Sequence, residues 1–185
     1  MPRSRSRSVV LAALVALVVA GCGAAPAGPP DPFPPRPADI DIERLDPCTL
    51  LSAEKRAELQ VGAGQAGTAP VSGATTRACG WGSLDTPFDY SVQLIPQDAA
   101  AAVGASGAVV GTAEGYGTVQ ITDRRESYPL CEVLVDVNDG QLMRIQVRTV
   151  ERERVTGEPY RIEETCSHAR LAVGEVVRNA REQAP

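Results

Sequence analysis

Four cysteines, Cys48, Cys79, Cys131 and Cys166, are the residues of this chain best suited to chemistry, and their spacing decides which chemistry. Zinc sites draw ligands in close pairs, C-x2-4-C. Here the nearest two cysteines are 31 residues apart, so no metal is expected. An even set of distant cysteines reads instead as two disulfides, with three possible connectivities. Catalysis by a histidine triad would depend on His168, the single histidine of the 185-residue chain. It falls on a predicted helix beside Glu164, a charged and solvated face, and no Gly-x-Ser-x-Gly elbow supplies a nucleophile. Gly62-Ala63-Gly64-Gln65-Ala66-Gly67 spells G-x-G-x-x-G. A dinucleotide site of that spelling follows a strand and opens a helix. This one follows a predicted helix and runs into a Thr/Ser/Gly stretch, so it reads as a loop. Glu163 and Glu164 suit the positive end of a helix dipole. No catalytic set and no cofactor site emerge, and the expectation is that the protein is not an enzyme.

The fifth cysteine has different surroundings. Arg3, Arg5 and Arg7 precede an apolar run from Val9 to Ala20, which Val19-Ala20-Gly21-Cys22 closes. A basic start, a short apolar stretch and small residues at the cut mark an export signal. The run falls short of the ~20 residues of a comfortable membrane span. A cysteine placed there resembles a bacterial lipobox, in which it takes diacylglycerol and becomes the new amino terminus. Residues 1–21 then form a lipoprotein signal peptide, and Cys22 holds the domain on the extracytoplasmic face of the cell membrane. Two acyl chains anchor stably where one binds marginally.

The formal net charge of −5 includes the three arginines before that cut, so the mature chain is nearer −8. An acidic surface disfavours nucleic acid and electrostatic docking on anionic lipid. Residues 22–45 carry Pro26, Pro29, Pro30, Pro32, Pro34, Pro35 and Pro37. They read as an extended, disordered spacer, which leaves residues 46–182 as a single domain, long enough for a real core.

Asp46 is a good N-cap, Pro47 suits the first helical position, and Ser52 can cap a continuation over Ala53–Leu59 closed by Gly62. Residues 62–75 read as a loop. Residues 76–83 form a strand with Cys79 and Trp81 on one face, where Trp81 is expected in the core. Phe88, Tyr90, Val92 and Leu94 alternate with Asp89, Ser91 and Gln93, the pattern of a half-buried strand. A small-residue segment, 98–110, suggests a short helix, and residues 118–122 a weaker strand. Cys131, Val133, Val135 and Val137 alternate again, as do Met143, Ile145 and Val147 with Arg144, Gln146 and Arg148. Between these two strands, a one-residue slip would turn every side chain to the other face. A three-residue turn with Gly140 in the left-handed region pairs Val135 with Met143, Val133 with Ile145 and Cys131 with Val147. In residues 160–182, Ile162, Cys166, Ala169, Val173, Val176 and Ala180 form a helical apolar stripe. The expected fold is α+β: an antiparallel sheet of about four or five strands, covered on one face by amino- and carboxy-terminal helices.

Cys48 and Cys166 lie in the two terminal helices and Cys79 and Cys131 on strands, pointing inward. This favours Cys48–Cys166 and Cys79–Cys131. On the surface, Asp123-Arg124-Arg125-Glu126-Ser127-Tyr128 joins two strands, and Arg124, Arg125 and Tyr128 are residue types that make interface hot spots. Arg144 and Arg148, continued by Arg152, form a basic row that an acidic partner could cover.

Asp46-Pro47-Cys48-x-Leu50-Leu51-Ser52, Cys79-x-Trp81, a strand-borne Cys131 and Cys166-x-x-Ala169 on the last helix together resemble the DUF3558 family of uncharacterised actinobacterial lipoproteins. The resemblance spans residues 46–180, and Gly80 stands where Ser or Thr is expected. It implies location and class, with no activity and no catalytic residues. The function to expect is a lipid-anchored envelope domain that binds a protein partner or serves as an accessory or sensing module. The alternative is a carrier of a small apolar ligand held between sheet and helices, with residues such as Ala99–Ala102, Gly104, Ala105 and Gly107 lining the cavity or a flap. Replacing Cys22 with Ser is expected to release the protein from the membrane fraction; retention of that variant would refute the anchor.

Overall fold

Period-two alternation builds most of this fold, and one long amphipathic helix closes it. The computed structural model describes residues 30–123, 128–150 and 156–184. Within them run β1 (Gln65–Val71), β2 (Ala74–Trp81), β3 (Phe88–Ile95), β4 (Val109–Ala113), β5 (Tyr116–Asp123), β6 (Leu130–Asn138) and β7 (Gln141–Thr149). The helices are α1 (Ala53–Glu58) and α2 (Ile162–Gln183). All seven strands lie in one antiparallel sheet, in the order β1-β2-β3-β7-β6-β5-β4. The sheet therefore has seven strands rather than four or five. The two additions are its edges, β1 and β4, Gly/Ala-rich segments that are exposed along most of their length. With so little burial on either side they show no alternation: β1 falls in the stretch read as a loop, and the suggested short helix over 98–110 takes in only the first two residues of β4.

The inner face of the sheet carries Trp81, Tyr90, Val92, Cys131, Val133, Val135, Met143, Ile145 and Val147, all buried. The expected stripe of α2 packs on it, with Ile162, Cys166, Ala169, Val173, Val176 and Ala180 buried. The β6–β7 register is the expected one, Val135↔Met143, Val133↔Ile145 and Cys131↔Val147. It is reached by another route: the ladder closes at Asn138↔Gln141 around Asp139-Gly140, and a bulge between Asp136 and Asn138 absorbs the extra residue. Gly140 has φ 66°.

The amino-terminal helix is much reduced. Asp46 caps a 3-10 turn over Pro47–Thr49, and the Ser52 hydroxyl accepts from the Lys55 amide to start the six residues of α1, none of which is buried. The helix stops at Leu59, with Gln60 in the left-handed region at φ 57°, before Gly62 is reached. What covers this side of the inner face is the segment read as spacer. Ile40, Ile42 and Leu45 are buried in the main core, so the folded unit begins at Asp31 rather than at residue 46. The arm is clamped by two arginines. Arg36 reaches Asp136 at 2.8 Å and Asp139 at 2.6 Å on the β6–β7 hairpin, and Arg77 donates to the carbonyls of Leu45 and Ile42 at 2.5 and 2.6 Å. Proline density signals extended backbone, not absence of burial.

On the outer face a smaller cluster joins Phe33, Ile95, Ala99, Val119, Leu134 and Leu142. The connection from β3 to the far edge β4 crosses the sheet here, through a 3-10 turn at Ala99–Ala102. Its small side chains let the backbone lie close to the strands. Phe33 presses on Gly117, where a Cβ would come within 2.4 Å of the ring.

The bridges are Cys48–Cys79 and Cys131–Cys166, which corrects the expected pairing. Between Cys79 on β2 and Cys131 on β6 lie β3 and β7, three strand spacings or about 14 Å. A disulfide needs Cα atoms within about 7 Å. Each strand cysteine instead takes the terminal element packed above it. With sequence separations of 31 and 35 residues, loop entropy assigns each bridge about 4 kcal/mol. The second glycine of G-x-G-x-x-G also finds its role here. A Cβ on Gly64 would stand 2.6 Å from Cys79 Sγ and from Trp81 Nε1, so the glycine admits the chain against the disulfide and the buried tryptophan.

Phe33→Ala, a change in the nominal spacer, is expected to cost about 3 kcal/mol through lost burial and the cavity left behind. An unchanged urea midpoint would show that the arm is not part of the cooperative unit.

Candidate functional site

With the inner face filled, the surfaces left for function are the outer face and the edges. The space between sheet and α2, where a carrier would hold its ligand, is taken by Tyr116, Met143, Val135 and Val137, all fully buried. Phe33 and the crossover seal one half of the outer face. The other half forms an open concavity of about 990 Å³, lined among others by Gly67, Gly80, Leu84, Ser91, Gln146 and Arg148.

Strand register places the lining residues Gln65, Gly80, Ser91 and Gln146 in one cross-strand row, which continues beyond the concavity to Glu132 and Ile121. The next row runs from Gly67, which also lines it, through Ala78, Gln93 and Arg144 to Leu134. Small residues on β1 and β2 keep one side shallow, and polar residues on β3 and β7 furnish the other. Arg148 meets Asp89 at 3.2 Å. Gln146 accepts from Ser91 Oγ at 3.3 Å and donates to Glu132. Arg144 donates to Gln93, which donates to Thr76, whose hydroxyl reaches the Ala69 carbonyl at 2.7 Å. Arg148 is thus paired with a carboxylate, whereas Arg144 has an uncharged partner in Gln93 and is half-buried, its Nε lacking a partner among the described residues. Arg152 lies outside the described residues.

Leu84, 87 % exposed in the β2–β3 turn, stands on the rim. Leu130 lines the opposite side, two residues from Tyr128, which is 49 % exposed. Tyr128 of the proposed binding loop is not among the residues that line the concavity; Arg124 and Arg125 lie outside the described residues, as do Cys22 and the signal segment. Sequence patterning missed the concavity as a whole. Its small-residue side belongs to β1, which carries no alternation.

His168 departs from the solvated position expected of it. Its ring stacks on Phe88 with centroids 3.9 Å apart, and its Nδ1 is 2.7 Å from the Tyr90 hydroxyl. The row Trp81–Tyr90–Val147–Cys131 explains the meeting: Cys166 sits over Cys131, so the next residues of α2 come down beside Tyr90. Burial pushes the Tyr90 phenol up and the His168 imidazole down, Glu164 opposing the latter. The partner of the histidine is thus a phenol, not a serine or thiol nucleophile. Among the described residues no group of three His, Cys, Asp or Glu side chains could hold a metal ion, and no helix is long and apolar enough to cross a membrane.

Fold and surface together define a two-layer α+β domain stapled by two disulfides, with half of its outer sheet face open. The chain belongs to DUF3558, described as a protein of unknown function, whose match covers residues 17–179. That span takes in Cys22 and all four paired cysteines. No curated protein and no solved structure matches the chain.

Because the folded state holds the His168 imidazole below its ordinary value of 6.5, the unfolded chain binds that proton more readily. The stabilisation is complete above pH 6.5 and is lost as pH falls below it. Thermal midpoints between pH 7.5 and 5 should decline, and His168→Gln should flatten that part of the slope; an unaltered slope would remove His168 as its origin.

Proposed function

We propose that this protein is a lipid-anchored, non-catalytic domain of the extracytoplasmic face of the cell membrane that binds a protein partner on the open half of its outer sheet face. The observation that carries this reading is the unequal cover of that face. Phe33 and the crossover bury one half, while the other is an open concavity of mixed polar and apolar lining with an exposed leucine on its rim. Large side chains placed at the rim of a rigid hydrogen-bonded sheet suit recognition between surfaces. The anchor rests on Cys22 and its leader, and the acidic net charge leaves the lipid, rather than basic residues, to hold the domain.

The test is a photo-cross-linking residue in place of Leu84, read in the intact envelope. A discrete adduct is expected there, and none from the same residue at the exposed Glu54 of α1. Gly80→Gln should abolish the adduct, because a Cβ at Gly80 meets nothing nearer than 3.9 Å and the longer side chain fills the concavity without disturbing the fold. An adduct that survives Gly80→Gln, or equal labelling from both positions, would reject this face as the binding surface.

A further inference from the structure

The two edges of the sheet are treated differently. A free edge strand exposes unpaired N–H and C=O groups and invites another strand, so edges are commonly blunted with proline, charge or cover. β1 and β2 are joined by Ser72-Gly73, both with positive φ, and the closing pair is Val71↔Ala74. In such a two-residue hairpin the closing pair is hydrogen-bonded and alternate residues point their backbone groups outward. On β1 the outward set is Ala66, Thr68 and Pro70, and Pro70 has no N–H to offer.

β4 and β5 repeat the arrangement around Glu114-Gly115, with φ 51° and 85°, and the closing pair Ala113↔Tyr116. Val109, Gly111 and Ala113 bond inward to β5; Val110 and Thr112 present their N–H and C=O groups outward. This edge holds no proline and no charge, and its two valines are 60 % and 44 % exposed. Beside it lies a hollow of about 360 Å³ between β4 and α2, lined by Gly111, Glu114, Arg170, Val173 and Gly174 among others.

We propose that β4 pairs antiparallel with β4 of a second copy about a two-fold axis at Gly111, fusing two sheets into one. This register matches all five residues: Val109 with Ala113, Val110 with Thr112, and Gly111 with itself. The outward groups of Val110 then bond those of Thr112 on the other chain, and both α2 helices stay on the same side. Charge selects a second copy as the occupant. Glu114, at the Ala113 end, is held by Arg178 at 2.5 Å. Arg170, at the Val109 end, has one 3.5 Å contact, with Gln120, the inward partner of Val109. The two-fold axis carries Glu114 of each copy to the Val109 end of the other, where Arg170 stands, so the complementarity is made twice. A five-residue strand pair is a small interface, and the dimer is of the weak, concentration-dependent kind.

The test is sedimentation of the detergent-solubilised full chain over a concentration series up to roughly millimolar, the Kd range of such contacts. A monomer–dimer equilibrium is expected. Val110→Pro removes an outward donor and no β4–β5 bond, so it should leave the thermal midpoint in place and abolish the dimer, as Pro70 blunts β1. Arg170→Glu, on an exposed position, should weaken association by about tenfold and keeps the test intact if the proline variant misfolds. A monomer at every concentration overturns the proposal. So does a dimer indifferent to both substitutions, which would place its interface elsewhere.

Discussion

A seven-stranded sheet presents two faces and two edges to water, and the described residues hold one long helix with which to cover them. That shortage governs the rest of the architecture. α2 takes the centre of the inner face, where its stripe of small and β-branched residues lies over β6 and β7. The flank that α2 leaves open is covered by an extended arm, not by a second helix, with Ile40, Ile42 and Leu45 reaching the core and Arg36 and Arg77 holding the backbone in place. Among the described residues the outer face receives Phe33 and a crossover of alanines. No other described element covers its remaining half, and there the side chains hydrogen-bond one another across strands.

Where burial is one-sided, residue order reveals structure well. Phe88 to Leu94, Cys131 to Val137 and Met143 to Val147 each alternate because one face meets the core and the other meets polar neighbours. The register of the last hairpin followed from that contrast alone, although the bulge at its end did not. Ser52 and Asp46 were legible as caps, since their side chains satisfy local amides whatever the length of helix that follows. The failures share a cause. β1 and β4 are exposed on both sides, the arm is extended and proline-rich, and neither state leaves a periodic trace. The disulfide pairing depends on how many strands separate two positions, a property of sheet order that no local pattern contains.

The candidate site was legible in its parts only. Arg144 and Arg148 were visible as a row, but their partners, Gln93 and Asp89, come from β3, which pairs with β7 from far along the chain. His168 looked like a surface residue by helical position. Its contacts with Phe88 and Tyr90 come from the neighbouring strand, brought within reach by the cysteine two residues before it. In both cases the type of residue was informative and its surroundings were not.

The order of the two bridges has a bearing on how the molecule is made. Cys48 joins the next cysteine of the folded domain, Cys79, and Cys131 joins the next again, Cys166. For a chain that crosses a membrane amino end first, the first pair reaches an oxidising compartment before the second pair has emerged. Oxidation in order of arrival then yields the native set. A chain exported in that way would need an oxidant but no reshuffling of mispaired thiols, which the nested pairing of Cys48 with Cys166 would have required.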